Sequence, residues 1–404
     1  MSKSGGMTTA GLAVTGAGVL ANGLAYVVPV LGARQLSAAD LSALATLLAL
    51  TAIAGVASTG LQIAVAVHRA RSGPVPTAKS AVYTVLGTAC ALLLVMPVAV
   101  ALLDLTAVDT ALAAVSTVGV VAAGRWLGEM QGDERFLPLA AGIAVVAGGR
   151  YGGVVAGLAA GLGLTTSLLL GAATAVLALP VLHLLARRPG VRKEGAALPL
   201  RAVLTAGGAT LAMLVVSYAD LLLARRFLPP DASGAYAVGT VLTKGALWAP
   251  QVVTILALPR LAQGSRRTLR LGLLVVGGCG VLLVSASALA GGLAFGLAGG
   301  PDYVGMGRYA WIFAATGACY GLVFMLINAQ VAAGARWPSA PLWAVTVAFV
   351  LGTWLFLPHT VPGIAAGALG AAVLALAGTG ALVTARVRRP VTEARPNHES
   401  LSVE

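Results

Sequence analysis

Long apolar runs separated by short polar breaks dominate the chain. A helix that crosses a bilayer needs about 20 mostly apolar residues, within a range of about 17–25. Twelve runs meet that requirement. They centre on 10–32, 41–67, 80–103, 108–128, 137–160, 164–186, 203–224, 234–258, 271–297, 307–331, 340–357 and 362–385. The faintest break is a short turn of small and apolar residues at Gly161–Gly163. The longest basic connector is RRPGVRKEGAALPLR, from Arg187 to Arg201. It divides the runs into two sets of six. The expected organisation is a first lobe over 1–188, a basic linker over 189–201, a second lobe over 202–387 and a polar tail over 388–404. The tail, VTEARPNHESLSVE after Pro390, has the composition of a disordered segment.

Composition agrees with a lipid-embedded chain. Of 404 residues, 58% are hydrophobic and 10% charged, and the mean hydropathy is +0.93. A soluble domain carries about 25% charged residues. The net charge of +13 does not indicate nucleic acid here, because the Lys and Arg residues occupy short loops where they set membrane orientation. With the N-terminus inside, twenty of the 26 basic residues fall on the inner side. Four fall outside (Arg34, Arg225, Arg226 and Arg308), and Arg150 and Lys244 remain within spans. That asymmetry predicts a multi-pass protein of the cell membrane with both termini cytoplasmic. No small-residue cleavage site precedes a soluble domain, so the first run reads as a retained span. Cys90, Cys279 and Cys319 lie in apolar runs without metal spacing, and His68, His183, His359 and His398 are scattered. No metal site, cofactor or catalytic dyad is expected.

The two halves share a pattern. ARQLSAADLSALA from Ala33 and RRFLPPDASGAYA from Arg225 follow the first and seventh spans. At an offset of 192 residues Arg34 meets Arg226, Leu36 meets Leu228 and Ala45 meets Ala237. Each loop has an Arg, a Leu, a polar turn with one Asp, and a helix start that Asp or Ser can cap. Both copies enter from the same side, as in a parallel repeat.

Three stretches carry a resemblance: residues 32–70, RWLGEMQGDERFLPLA (125–140) and residues 219–262. On these the chain resembles a polysaccharide biosynthesis flippase of the multidrug/oligosaccharidyl-lipid/polysaccharide (MOP) exporter superfamily. The first loop departs from the family pattern by carrying Ser42-Ala43 where a Gly-aromatic pair is usual. The resemblance implies an all-α, MATE-like fold: twelve transmembrane helices in two six-helix lobes around a central cavity that alternates between inward- and outward-open states. It implies a non-enzymatic transporter of a lipid-linked sugar, a polysaccharide precursor, from the inner to the outer leaflet. Membrane lipids, and glycosyltransferases or a polymerase of the same pathway, would be its partners.

Moving such a substrate requires carrying its charged head across about 30 Å of hydrocarbon. A bare charge there costs from a few to more than 10 kcal/mol. Intramembrane cations are therefore the groups to seek. Arg150 lies deep in the fifth span and Lys244 near the midplane of the eighth; each either lines a cavity or ties helices together. Asp220, near the outer end of the seventh span, is expected to face the cavity with Lys244, as one side of a structural ion pair or as a gate latch. Asn22 and Asn328 are neutral candidates for sugar contact or for helix–helix hydrogen bonds. Arg34, Arg225, Arg226 and Arg308 form the outer gate or interface group. Glu129, Gln131 and Arg135 read as a solvated inner loop.

Two rivals belong to the same superfamily: a MATE-like cation-coupled small-molecule exporter and a peptidoglycan-precursor (lipid II) flippase. The first would want buried carboxylates, whereas Asp40, Asp104, Asp109, Glu129, Asp133 and Glu134 all fall at span ends or in loops. A major-facilitator transporter would carry a different loop from the HRARSGPVPTAK found after the second span. An integral glycosyltransferase would need a larger outer loop.

Overall fold

The computed structural model describes residues 3–72, 76–187, 200–248, 266–332, 335 and 337–388. The predicted linker up to residue 199 and the predicted tail beyond Arg388 lie outside these residues. Every regular element among them is helical, which hydrocarbon demands, because a helix satisfies its own backbone N–H and C=O groups.

The first half contains α1 (Lys3–Gln35), α2 (Ala38–Ala54), α3 (Val56–Ser72), α4 (Ala78–Leu103), α5 (Ala107–Gly132), α6 (Phe136–Ala147), a π-helical turn (Gly148–Gly152), α7 (Gly153–Ala159) and α8 (Gly163–Ala186). The second contains α9 (Leu200–Phe227), α10 (Pro230–Trp248), α11 (Arg266–Leu289), α12 (Gly291–Gly299), a 3-10 segment (Pro301–Tyr309), α13 (Ala310–Ala332), α14 (Ala340–Leu355) and α15 (Val361–Arg388). Among the described residues, 10 helical segments are long and apolar enough to cross a membrane. The predicted eighth and eleventh spans fall on α10, with 19 residues, and α14, with 16. Crossing two is α2 and α3 together, broken at Gly55. The faint break predicted near Gly161 is a real turn, with Gly161 and Gly163 at φ +68° and +77°, a region in which glycine avoids the Cβ clash.

The halves repeat one packing scheme. In the first, α3 and α4 pack on α5, α5 on α8, α1 on α6, and α7 on α8. In the second, α10 and α11 pack on α13, α13 on α15, α9 on α14, and α14 on α15. The lobes meet where α2 and α3 pack on α9, α2 on α10, and α1 on α10 and α12. Large apolar side chains such as Leu93, Leu94, Leu177, Leu274 and Leu282 point outward and are exposed, as a lipid-facing belt requires.

Small residues let helices approach closely in lipid. Gly124, Gly128 and Gly132 form a stripe on α5 against α3, where an added Cβ would lie 2.5, 2.6 and 2.7 Å from the carbonyls of Ser58, Gln62 and Ala66. The stripe brings polar residues together at the predicted inner end. Arg69 Nε and Nη2 donate to Asp133 at 3.0 and 2.9 Å, and Arg69 Nη1 lies 3.4 Å from Glu129. Arg125 Nε donates to Glu129 at 3.1 Å, and Thr77 also donates to it. Glu129 is 5% exposed, so the solvated loop expected from sequence is, at this residue, a buried ionic cluster. Arg135 donates instead to the carbonyls of Leu185 and Ala186 at the end of α8.

Candidate functional site between the lobes

A cavity of about 290 Å³ lies between the lobes, walled by α1, α2, the π-helical turn, α9 and α10. Two of the predicted cations and one predicted asparagine reach it: Arg150, Lys244 and Asn22. Tyr26, Tyr151, Tyr218, Thr240 and Trp248 share the wall. Among the described residues, no Asp or Glu lines it.

Arg150 sits in the middle of the π-helical turn. A π turn inserts an extra residue into an α-helix and is frequent at functional sites; here the consecutive Arg150 and Tyr151 both face the cavity. The sequence GGRYGG permits it. Gly149 and Gly153 press on α8, where a Cβ would meet Ala178 and the backbone of Leu170, and the Thr174 hydroxyl of α8 lies 2.7 Å from the Gly149 carbonyl. Arg150 Nη2 reaches the Thr51 hydroxyl of α2 at 3.4 Å, and its guanidinium carbon is 5.1 Å from the Tyr151 ring centre.

Lys244 is held from α9. Its Nζ donates to the Ser217 carbonyl at 2.5 Å and to the Ser217 hydroxyl at 3.1 Å. The ammonium lies 3.4 Å from the centre of the Tyr218 ring, where the ring quadrupole attracts a cation. These partners carry no formal charge. Asp220, 4% exposed, closes no ion pair with Lys244. It is not among the cavity-lining residues but interacts electrostatically with Lys244, and its oxygens accept from Tyr236 Oη at 3.0 Å and from the Leu221 N–H at 2.8 Å. Asn328 lies apart on α13, its Nδ2 donating to the Phe324 carbonyl of its own helix at 2.8 Å.

Tyr26 adds a donor that the sequence did not mark. Its hydroxyl is buried and has no hydrogen-bond partner among the described residues. A buried, unpaired hydroxyl costs about 1–3 kcal/mol, and beside Arg150 and Lys244 it can donate to an oxygen entering the cavity.

No protein-family profile and no curated protein matches this chain. Solved structures do. The eukaryotic MATE transporter AtDTX14 is 14% identical, with 93% of this chain and 95% of that chain covered and a TM-score of 0.68. The lipid II flippase MurJ, in an inward closed conformation, is 11% identical, with 92% and 87% covered and a TM-score of 0.67. An inward-facing multidrug resistance MATE family transporter of the MOP superfamily is 14% identical, with 91% and 94% covered and a TM-score of 0.56. The fold is MATE-like.

In this MATE-like arrangement the predicted interface arginines gather at the predicted outer end. Arg225 crosses from α9 to the first lobe and donates to three carbonyls: Leu103 at 2.9 Å, Ala39 at 3.2 Å and Asp104 at 2.7 Å. Arg34 makes the reciprocal reach from α1, to the Leu297 carbonyl of α12 at 3.4 Å. Each arginine from the loop after the first span of one lobe thus touches the region ending the third span of the other. Ser42 and Ser233 also bridge the lobes, at 2.5 Å. The repeated helix starts differ in detail. The Ser37 side chain caps α2 by accepting from the Asp40 N–H, whereas α10 begins with Pro230 and its Ser233 lies inside the helix. Arg226 and Arg308 are exposed and lie beside the rings of Phe227 and Tyr309; neither crosses to the opposite lobe through a described hydrogen bond.

Proposed function

We propose that this chain is a membrane transporter that flips a lipid-linked sugar, carried on an anionic phosphate or pyrophosphate head, from the inner to the outer leaflet by alternating access. The observation that carries the reading is the wall of the central cavity. Two cations, Arg150 and Lys244, reach it with neutral hydrogen-bond partners, and no Asp or Glu among the described residues lines it; Asp220, outside the lining, interacts electrostatically with Lys244 without closing an ion pair. Such a wall favours an anion over a cation. It lowers the cost of bringing a phosphate into hydrocarbon, and no covalent step is needed. The tyrosines and Trp248 offer flat amphipathic faces to a sugar ring. MurJ, a lipid II flippase, shares the fold, and a lipid II head is the nearest alternative within the same chemistry.

In this reading the protein is multi-pass in the cell membrane with both termini cytoplasmic. The Arg225 and Arg34 contacts form the outer gate, closed in this state. Glycosyltransferases or a polymerase supply and consume the carried lipid.

A specific feature favours a second reading, a cation-coupled exporter of MATE type. Asp220 is a buried carboxylate beside the cavity helices, hydrogen-bonded to Tyr236, and a proton or small cation could be taken up there. Reconstitution separates the two. Proteoliposomes with a fluorescent lipid-linked sugar, scored by reagent accessibility at each leaflet, give protein-dependent flipping under the first reading. Uptake of a cationic dye driven by a pH gradient, without flipping, favours the second.

A further inference from the structure

A second and larger cavity lies on the other side of α2. It measures about 540 Å³ and runs between α2, α3, α4 and α5 of the first lobe and α9 of the second. Its wall includes Leu47, Leu50, Met96, Ala113, Leu204 and Leu211, and no charged residue among the described ones. Its threonines are turned inward on themselves: Thr84, Thr88, Thr110 and Thr117 donate to carbonyls four residues back in their own helices. With those protons committed, the cleft offers hydrocarbon contact and little polar recognition. A sugar or a phosphate has nothing to bind there.

The two cavities use opposite faces of one stretch of α2. Leu47, Leu50 and Thr51 face the cleft, and Ala45, Leu48 and Ala52 face the central cavity. They touch at Thr51, which donates to the Leu48 carbonyl at 3.0 Å and receives Arg150 Nη2 at 3.4 Å. Four residues further on, at Gly55, the helix breaks.

We propose that the apolar cleft between α2, α4, α5 and α9 holds the hydrocarbon chain of the ligand whose anionic head occupies the central cavity, with Thr51 and Arg150 marking the junction. This rests on the proposed anionic head. It adds that recognition extends to the lipid chain and that the chain lies along the boundary between lobes. Burial of a methylene is favourable by about 0.8 kcal/mol against water, and less against lipid. The gain from the cleft is therefore a preference for chain length and shape rather than raw affinity. An ordinary phospholipid chain drifting into the groove would show no such preference.

Two glycines make the test clean. Gly87 on α4 and Gly208 on α9 both line the cleft, and an added Cβ at either meets nothing within 4 Å. Phenylalanine at both positions fills the cleft from opposite walls. Binding to the purified full-length protein is measured by native mass spectrometry with two probes, a long-chain polyprenyl phosphate and geranyl phosphate. The expected result is that the wild type prefers the long chain by about tenfold. Gly87→Phe/Gly208→Phe loses that preference while its geranyl phosphate affinity stays within about twofold. A double variant that keeps the preference, or a wild type with none, overturns the proposal and leaves the cationic cavity standing. Unchanged geranyl phosphate affinity in Lys244→Ala overturns the anionic head, and the chain site with it. If the double variant does not fold, the wild type still decides: a long-chain prenyl phosphate with a diazirine at its tail end labels cleft residues such as Met96, Ala113 or Leu211 if the proposal holds, and only lipid-facing residues such as Leu93, Leu94 or Leu274 if it does not.

Discussion

In the first lobe, Arg69 meets two carboxylates, Glu129 and Asp133, and all three side chains are at most 7% exposed. At the lobe boundary, Arg150 and Lys244 meet hydroxyls, a carbonyl and tyrosine rings. Both arrangements keep cations out of contact with lipid, by different physics. A charge paired with carboxylates is neutralised in place, and its role is to hold α3 against α5. Arg150 is held by neutral dipoles, and Lys244 meets a carboxylate, Asp220, only at longer range; charges held this way keep much of their field, and a cavity beside them attracts an anion. The comparison teaches that an intramembrane charge points to a ligand when its hydrogen-bond partners are neutral, more than when it is merely deep.

The sharpest way to break this comparison is to remove Arg69. Arg69→Ala removes the cation shared by two buried carboxylates, of which Glu129 keeps Arg125, and should cost about 3–5 kcal/mol, read as denaturant-induced unfolding in micelles. A loss below about 1 kcal/mol would place the cluster with ordinary surface pairs. Next comes the glycine stripe that holds the cluster in register. At Gly128 a Cβ would sit 2.6 Å from the Gln62 carbonyl, so Gly128→Ala should cost about 1–3 kcal/mol through forced separation of α5 from α3. Gly87→Ala, in open space, should stay within about 0.5 kcal/mol.

The outer arginines sharpen the contrast at the lobe boundary. Arg225 serves three carbonyls and Arg34 one, at 3.4 Å. Arg225→Ala should therefore raise the open population at that end by roughly fivefold, about 1 kcal/mol, with Arg34→Ala nearer to neutral. Distances between spin labels on the two lobes would show the ranking, and equal effects would contradict it. A modest effect belongs to Asp220. Tyr236→Phe removes one hydrogen bond to it and should cost about 1 kcal/mol while flipping continues. Loss of transport in Tyr236→Phe or Asp220→Asn with stability intact would favour the coupled-exporter reading.

Much of the architecture was legible because lipid is a strict solvent. Run length fixes the crossings, and the predicted turn near Gly161 is confirmed by left-handed glycines. The break at Gly55 inside the second crossing was not visible, since Ala-Gly-Val interrupts no apolar run. Depth marked Arg150 and Lys244, because charge in an apolar run stands out. Their surroundings did not stand out: Tyr26, Tyr151, Tyr218 and Thr51 look like ordinary members of membrane helices, and folding alone brings them together from four helical segments. The same limit applies to the carboxylates. Glu129 looked solvated beside a polar loop, yet Arg69 lies 60 positions away in the chain and meets it through the α3–α5 packing. The faint signal was the spacing of Gly124, Gly128 and Gly132, which announces a close helix contact at that end.

The central claim is that cationic charge lining the cavity at the lobe boundary carries an anionic head across the membrane. Its most direct test is the flipping rate of a fluorescent lipid-linked sugar in proteoliposomes containing Arg150→Ala/Lys244→Ala, beside wild type at equal protein density and equal unfolding temperature. The account predicts a fall of at least about tenfold, equivalent to about 1.4 kcal/mol on the barrier. Flipping at the wild-type rate by the folded double variant would contradict it.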